Sequence, residues 1–555
     1  MAVSQSNSTR SKAQEVNDTE TPATLTPDNQ SELATSEQHT EKSDDKYGRV
    51  AGGRFVPLNE KANLHSDHGL LKTVDIDIPL TLTEVVYKDQ QEYIVLSFAE
   101  GDCENPFNWP PAKKVFVCSM LNLMTLFIGL ATTAYSSGIS SMTAEFGVPE
   151  LYGQLGLFTF NAACALAPLF LAPFCELVGR KVVYAGAYFC FTVLFIGLSL
   201  GQNIETIVIC RLLLGLFGCV GTILVGGTFD DMYEPHLRGP PMAMFTYVAI
   251  LGTVGAPIYA GFIDQTIGWR WIEGIQGLSN IPLLLCVFFF FPETRGGARL
   301  HKRAKQLRKA TGDDRFAGPD DLDTRSPKEM LKVSSLKAIR MLVTEPVVLA
   351  FGLWIGFAWF VTFLFLSVIP ITFQEKRGWS EGVSGLPYIC LCLGTTIGWA
   401  AHHLQMRKFN QIQNHPDVTP TPEHRLYGAM FGAVWLPVGL FIYSFTQYAW
   451  LHWIGPCIGL VLIAAGIFFV FEATYSYTAD CYGQSASSAI AGQGLVRNML
   501  GAVSPLFASA FFHNLGSQYA GLILSIVAAG LSMIAFIMFK YGPQLRARSK
   551  RTLVY

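Results

Sequence analysis

Long apolar stretches dominate the sequence and limit what it can fold into. A hydrocarbon core of roughly 30 Å requires about 20 apolar residues in a helix. Twelve stretches near this length occur, at residues 115–138, 151–174, 182–200, 205–228, 241–263, 271–291, 347–373, 384–402, 427–446, 451–474, 487–512 and 517–540. Because 50% of the residues are hydrophobic and only 15% are charged, a soluble multidomain protein is excluded. We therefore predict an all-α polytopic membrane protein with twelve transmembrane helices.

The stretches form two sets of six, separated by a polar and basic segment. This arrangement predicts a six-helix bundle at 111–291, a basic linker at 292–343, a second six-helix bundle at 344–540 and a tail at 541–555. Region 1–110 is predicted to be disordered or extended, because its first 50 residues are rich in Ser, Thr, Glu, Asn and Gln and lack apolar periodicity. Partial alternation over 82–98 indicates a short strand or an extended segment.

Basic residues predict the orientation in the membrane. Of the 40 lysines and arginines, three fall in predicted outer loops, namely Arg270, Lys376 and Arg377. Two more, Arg211 and Arg497, lie within spans. The others lie in the tails and the even-numbered connections, so we expect both termini to be cytoplasmic. Residues 301–309, HKRAKQLRK, predict a basic amphipathic helix on the inner leaflet, with a solvated connector as the alternative.

Several classes of function are excluded by what the sequence lacks. The formal charge is −2 and no basic surface is indicated, so no nucleic-acid partner is expected. The 12 cysteines are scattered without paired metal-ligand spacing, so no metal site is predicted. No Cys-His or Ser-His-Asp combination and no phosphate-binding glycine loop with its lysine occurs, so the chain is predicted to be neither an enzyme nor dependent on a cofactor.

An arginine inside the fourth stretch is the most unusual charge in the sequence. Burying an unpaired guanidinium in lipid costs roughly 3 kcal/mol or more, so Arg211 must face a polar interior. Gly215 and Gly218 follow on the same helical face, where another helix can approach closely. Two roles stay open for Arg211: it can displace a proton or pair with an acidic or anionic group, or it can hold backbone carbonyls of its own bundle.

Several motifs resemble the major facilitator superfamily. Arg211-Leu-Leu-Leu-Gly215 resembles the fourth-helix motif of that family, and Gly252, Ala256, Pro257 and Gly261 have the spacing of its fifth-helix antiporter motif, with alanine where glycine is usual. Glu176, Gly179, Arg180 and Lys181 resemble the loop between the second and third helices, although Ala172 replaces its leading glycine and Leu177 its arginine. The segments Gly268-Trp269-Arg270-Trp271 and Pro292-Glu293-Thr294 point to the fungal twelve-helix drug:proton antiporter branch, and the resemblance covers about 105–545.

The resemblance implies a monomeric, proton-coupled exporter of a small apolar or amphipathic molecule. A drug, toxin, polyamine, siderophore or secondary metabolite is the expected class of cargo, and multidrug resistance is the expected phenotype. A small molecule, the proton and the lipid of the plasma membrane would then be its partners. Two alternatives stay open: an uptake symporter or facilitator of organic acids, and a non-transporting receptor on a transporter fold.

Arg211, Glu472 and Arg497 are the predicted proton-coupling residues. Glu472 lies near the inner end of the tenth stretch, where a carboxylate can exchange a proton with the cytosol. Arg497 is expected either to meet Asp480 or Glu472 in a gate salt bridge, or to snorkel to the surface. For Glu273, beside Arg270 at an outer helix end, an interfacial ion pair is expected.

The remaining candidates form a gate and a cavity. The resemblance places Glu176, Gly179, Arg180 and Lys181 in a cytoplasmic latch, and Asp230 and Asp480 are added to it as acidic candidates. Mid-span amides and aromatic rings are candidate cavity residues, because polar groups at membrane depth face protein or water. They are Asn161, Gln276, Asn280, Phe357, Trp359, Tyr388 and Gln493.

The fifth stretch is expected to bend and to seal the cavity. Pro257 removes a backbone donor and displaces the carbonyl four residues earlier, which predicts a bend close to Thr253. The glycines at 252 and 261 are expected to let the helix press against the other bundle.

Overall fold

A computed structural model describes residues 57–58, 61–65, 71–75, 81–88, 91–222, 224–234, 237–322, 327–413 and 421–549. The first 50 residues, predicted to be disordered, lie outside this set. Twelve described helices are long and apolar enough to cross a membrane, which confirms the predicted all-α fold. They are α1 Pro111–Phe146, α2 Glu150–Val178, α3 Arg180–Leu200, α4 Ile204–Met232, α5 Gly239–Ile267, α6 Trp269–Phe290, α7 Pro346–Glu375, α8 Glu381–Lys408, α9 Pro422–Thr446, α10 Ile454–Tyr482, α11 Ala486–Leu515 and α12 Ser517–Ala547.

Most helices extend beyond their apolar stretches, and local caps and turns mark where some of them begin. Asn203 caps the start of α4 by accepting the Thr206 N–H at 2.9 Å. Gly179 and Gly268, at φ of 96° and 90°, make the tight turns before α3 and α6. The last helix runs to Arg548, so it continues into the region predicted as the tail at 541–555.

The hydrogen-bond pattern of the fifth helix is interrupted just before its proline. Its two segments are Gly239–Gly255 and Pro257–Ile267. Ala256 between them keeps helical backbone angles, with φ of −65° and ψ of −42°, so the bend expected close to Thr253 stays a prediction. Pro257 occupies the first position of the new segment, where a missing N–H leaves no hydrogen bond unmade.

The apolar core consists of two clusters that follow the two halves of the chain. One cluster takes its buried side chains from α1 to α6 and their flanking residues. The other takes them mainly from α7 to α12 and also includes Ile250 and Val254 of α5. The fifth helix thus belongs to the first bundle by sequence but is buried partly against the second.

A separate compact unit comprises described residues up to Ala99 together with Lys305–Ala317. Its strands are β1 Pro57–Leu58, β2 Lys61–His65, β3 Leu71–Asp75, β4 Thr81–Lys88, β5 Gln91–Phe98 and β6 Phe316–Ala317. The segment predicted as one strand or an extended stretch is a hairpin, in which Thr81 of β4 lies opposite Phe98 of β5. Strand β6 lies parallel to β5, so the sheet order is β1-β4-β5-β6, and β2 pairs with β3. Part of the predicted linker therefore belongs to this unit.

The linker carries two helices outside the twelve spans. They extend over Gly296–Thr311 and Pro327–Thr344. In the first, the buried Arg303 forms ion pairs with Asp102 at 2.7 Å and Glu104 at 2.8 Å. This part of the basic charge is neutralised by protein carboxylates, and binding of the helix to an anionic leaflet stays a prediction.

Candidate functional site

A large cavity lies between the two bundles at the membrane face where α1 begins and α12 ends, which we call the terminal face. Its volume is about 630 Å³. Residues at the ends of α2, α4 and α10 and the starts of α5 and α11 line it, among them Glu176, Asp230, Arg238, Asp480 and Ser487. Ligand pockets of roughly 300–1,000 Å³ hold drug-sized molecules, so the cavity has the size of a small-molecule site.

A smaller chamber of about 40 Å³, the central chamber, lies deeper between the bundles. It shares Thr222, Phe245, Tyr475 and Arg497 with the large cavity. Six aromatic side chains line it, namely Phe160, Phe245, Trp359, Phe363, Phe471 and Tyr475. The combined space is therefore lined by aromatic rings around one cation, Arg497, at its inner end and by charges of both signs at its mouth.

The opposite face of the membrane domain is closed by close packing of α5 against α8. A Cβ atom added at Gly261 would lie 2.9 Å from the Glu381 carbonyl oxygen. The backbone N–H of Gly382 donates to Gln265 Oε1 at 3.2 Å. Among the described residues, the combined space is thus accessible from the terminal face and sealed from the other.

Arg211 is fully buried and ties three helices of the first bundle together. It is 0% exposed. Its guanidinium donates to the carbonyl oxygens of Ala131 and Thr132 at 2.9 Å each, and to that of Gly156 at 3.4 Å. The rings of Tyr135 and Phe160 flank it, with centroids at 4.4 and 4.7 Å. These contacts favour the second of the two roles, a structural arginine, and a direct role in transport stays a prediction.

Replacing Arg211 by alanine is expected to destabilise the protein, because three buried hydrogen bonds from a charged donor are lost at once. We expect a loss on the order of 3 kcal/mol or more in unfolding free energy, and a smaller loss for Arg211→Lys, which keeps the charge but not the planar fork. Thermal unfolding of the purified protein and its membrane abundance measure this. Arg340→Ala, at an exposed arginine, is the control. An Arg211→Ala protein with unchanged unfolding but no transport would instead make Arg211 a direct participant.

Glu273 is not in the expected ion pair with Arg270. Arg270 pairs with Glu145 at 2.6 Å. Glu273 is 2% exposed, and neither of its carboxylate oxygens has a hydrogen-bond partner among the described residues. It interacts electrostatically with Arg211 without reaching ion-pair distance. An ionised carboxylate in such a place is costly, so Glu273 is suited to holding a proton.

Glu472 lies beside a histidine that the sequence analysis did not single out. The Ser476 hydroxyl donates to Glu472 Oε1 at 2.6 Å, and His402 Nε2 lies 3.8 Å from the same oxygen. His402 is 2% exposed, and neither ring nitrogen has a hydrogen-bond partner in the described part of the chain. A histidine at the end of the eighth apolar stretch was the available signal. Neither residue lines the central chamber or the large cavity.

Arg497 lines both spaces and is not paired as expected. It donates to the Tyr475 hydroxyl and to Asn498 Oδ1, the latter at 3.2 Å. Asp480 pairs instead with Arg425 at 2.7 Å. No described ion pair joins Arg497 to Asp480 or Glu472, since Asp480 is taken by Arg425 and Arg497 bonds to Tyr475.

The gate candidates of the first bundle pair with one another, whereas Asp480 of the second bundle pairs with Arg425. Arg180 pairs with Asp231 at 2.5 Å, and Arg238 with Asp230 at 2.9 Å. Glu176, Arg180, Asp230 and Asp480 all line the cavity. The backbone N–H groups of Arg180 and Lys181 donate to the Glu293 carboxylate at 3.0 Å each. The acidic cap on α3 is therefore Glu293, and Gly179 lets the backbone turn tightly beneath it.

Two of the seven cavity candidates line the central chamber, Asn161 and Trp359. The other five line neither space, and four of them bond to a neighbouring helix instead. Gln276 bonds to Tyr259, Asn280 to Tyr188, Gln493 to Thr478, and Tyr388 to the Phe365 and Leu366 carbonyls, while Phe357 stacks on Phe360. The polar groups of the four hydrogen-bonded residues therefore have partners inside a bundle and do not need to face a water-filled cavity.

The glycines of the fifth helix contact different partners. A Cβ at Gly252 would lie 2.8 Å from the Leu126 carbonyl of α1, in the same bundle. A Cβ at Gly261 would meet α8 of the other bundle, as described above. Pro257 also faces α8, since its carbonyl oxygen lies against Gly385. Only the second half of the motif contacts the other bundle.

Comparisons with known proteins agree with this architecture. The family model of the Major Facilitator Superfamily matches residues 121–505. The chain is 31% identical to an MFS-type transporter of Schizosaccharomyces pombe, over 84% of this chain and 91% of the relative. It is 31% identical to the ascochitine biosynthesis cluster MFS transporter of Didymella fabae, over 81% and 87%. It is 30% identical to the efflux pump FUB11 of Gibberella moniliformis, over 82% and 77%. With twelve spans and a family match over most of its length, the chain belongs to the major facilitator superfamily.

Proposed function

We propose that this membrane transporter exports a small amphipathic or apolar molecule across the plasma membrane in exchange for protons. The cavity of about 630 Å³ at the terminal face carries the proposal. It is large enough for a drug-sized cargo, and its inner end is lined by aromatic rings. Uptake of an organic acid by a symporter, the alternative, would use the same cavity in the other direction.

The direction of transport rests on orientation and on relatives. The distribution of lysine and arginine predicts a cytoplasmic terminal face, so the cavity would load from the cell interior. Two relatives carry names that refer to an efflux pump and to a biosynthesis cluster. Export of a metabolite is consistent with both.

Proton coupling rests on two buried carboxylates, one in each bundle. Glu273 lies near Arg211 in the first bundle, and Glu472 lies near His402 in the second. A carboxylate that binds a proton from outside and releases it inside changes charge during each cycle, and cargo binding can be tied to that change. Glu472 is also one turn from Tyr475, which holds Arg497 beside the central chamber.

Inside-out vesicles from plasma membranes of cells expressing the protein test the function. A panel of labelled amphipathic compounds is offered outside the vesicles, with an acidic interior imposed. We expect accumulation of at least one compound that needs the protein and stops when a protonophore removes the gradient. Vesicles from cells that lack the protein are the control for passive entry. Accumulation that ignores the protonophore would contradict antiport, and accumulation only in right-side-out vesicles would favour uptake.

A further inference from the structure

Arg497 is a buried cation without a carboxylate partner. Arg497 is 6% exposed, and no described Asp or Glu lies within ion-pair distance of its guanidinium. Its side chain donates hydrogen bonds to neutral groups, the Tyr475 hydroxyl and Asn498 Oδ1. A guanidinium that is removed from water without a counter-charge is costly, so a matching anion is strongly favoured at this position.

The central chamber around Arg497 contains no acidic residue. Its lining includes one charged side chain, Arg497 itself. Two further lining residues carry buried polar atoms without a hydrogen-bond partner among the described residues, the Trp359 indole N–H and the Thr246 hydroxyl. Trp359 comes from α7 and Thr246 from α5, so both bundles contribute unused hydrogen-bonding groups to one small space.

Aromatic rings surround the same cation. The Arg497 guanidinium lies 5.5 Å from the Trp359 ring centroid and 5.6 Å from that of Phe471. The chamber of about 40 Å³ holds only a small head group. Anything larger must extend past Phe245 and Tyr475 into the large cavity, whose lining also includes apolar side chains such as Leu169, Met242 and Ile490.

We propose that the central chamber binds the carboxylate of an aromatic or otherwise apolar organic acid, with Arg497 as its charge partner. The inference rests on the proposed export function and names the class of its cargo. The carboxylate accepts hydrogen bonds from the guanidinium and from Trp359, and the apolar part of the acid lies in the large cavity. Charged donors bind a carboxylate more strongly than they bind its amide, which gives the site its selectivity. The negative interior of the cell favours the outward movement of such an anion.

Equilibrium binding to the purified full-length protein tests this, with 1-naphthylacetate and its neutral amide as probes. We expect the acid to bind about tenfold more tightly than the amide, the difference that one charge-assisted contact provides. Arg497→Gln should lower the affinity for the acid to that for the amide, and the affinity for the amide should not change. Arg497→Lys should restore part of the difference. Trp359→Phe keeps an aromatic ring but removes the N–H. It should therefore weaken binding of the acid and not that of the amide. Arg340→Gln, at an exposed arginine, is the matched control.

Four results would overturn the assignment. The first two are equal affinity of the unchanged protein for acid and amide, and an equal loss of affinity for both probes in Arg497→Gln. The third is full displacement of the acid by chloride at the probe concentration. The fourth is the absence of saturable binding of either probe up to millimolar concentration. The assay uses no gradient, so it separates this inference from the proposed function. Transport that ignores a protonophore would refute antiport and leave the acid-over-amide preference intact.

Discussion

Glu273→Gln is expected to abolish proton-driven export while leaving exchange of cargo across the membrane. Glutamine has the shape of a protonated glutamate but binds no proton. The variant should therefore load and release cargo in counterflow, where labelled and unlabelled cargo exchange without net proton movement. Net export against a cargo gradient should fall by about two orders of magnitude, the range associated with losing a proton-transferring side chain.

The surroundings of Glu273 give the physical reason. Both of its oxygens lack hydrogen-bond partners among the described residues, whereas Glu472 accepts from Ser476 at 2.6 Å. The groups that act on Glu273 are Arg211, Tyr135 and Tyr259. Arg211 is already hydrogen-bonded to three backbone carbonyls and does not reach Glu273 within ion-pair distance. A proton on Glu273 is therefore the change that most alters the charge buried in the first bundle.

Glu145→Gln is the matched control, because Glu145 is the exposed partner of Arg270 at the same helix end. It should transport normally. Glu472→Gln should slow net export less than Glu273→Gln does. If Glu472→Gln abolished net export and Glu273→Gln did not, the coupling carboxylate would lie in the second bundle. Unchanged net export in both variants would exclude a carboxylate in either place.

The case of Glu273 shows what a sequence can predict and what it cannot. Apolar length predicted twelve helices, because the hydrocarbon core sets that length whatever the neighbours are. The partner of a charge is chosen by tertiary contacts. Arg270 is close to Glu273 in sequence, yet it pairs with Glu145 of another helix. The same applies to Arg497, whose expected acid Asp480 is taken by Arg425.

The direction in which a side chain points from its helix also could not be predicted from the sequence. Asn161 and Gln276 are both amides within apolar stretches, and nothing in the local sequence distinguishes them. Asn161 lines the central chamber, whereas Gln276 bonds to Tyr259 inside the first bundle. Both positions satisfy the rule that polar groups avoid lipid. That rule excludes lipid, but it does not choose between a cavity and a neighbouring helix.

Gly261→Val is expected to abolish transport while the protein still accumulates in the membrane. The valine Cβ would lie 2.9 Å from the Glu381 carbonyl oxygen of α8, so the two bundles could not approach at the sealed face. This contact joins two bundles and not one core, so the folded bundles remain. A steric conflict of this kind costs about 1–3 kcal/mol, and here it acts on the equilibrium between conformations. The population sealed at this face should fall by about tenfold or more.

Gly252→Val provides the contrast, because Gly252 faces α1 within its own bundle. Its valine would clash with the Leu126 carbonyl inside a packed core. Membrane abundance, thermal stability and transport should therefore all decrease together. The sequence motif alone predicted the same outcome for both glycines. Gly255→Ala is the neutral control, since its nearest neighbours lie 3.8 and 3.9 Å away.

Accessibility of the large cavity distinguishes sealing from simple damage. A cysteine at Ser487, which lines that cavity, can be tested with a membrane-impermeant thiol reagent applied from outside the cell, in a background where the exposed Cys103 and Cys286 are replaced. We expect labelling to rise in Gly261→Val and to stay low in Gly255→Ala, because only the first opens the outer face. Pro257→Ala should join the two segments of α5 into one helix and raise both labelling and proton leak, since Pro257 lies against Gly385 in the same contact. Normal export by Gly261→Val at normal abundance would show that the contact between α5 and α8 is not the seal.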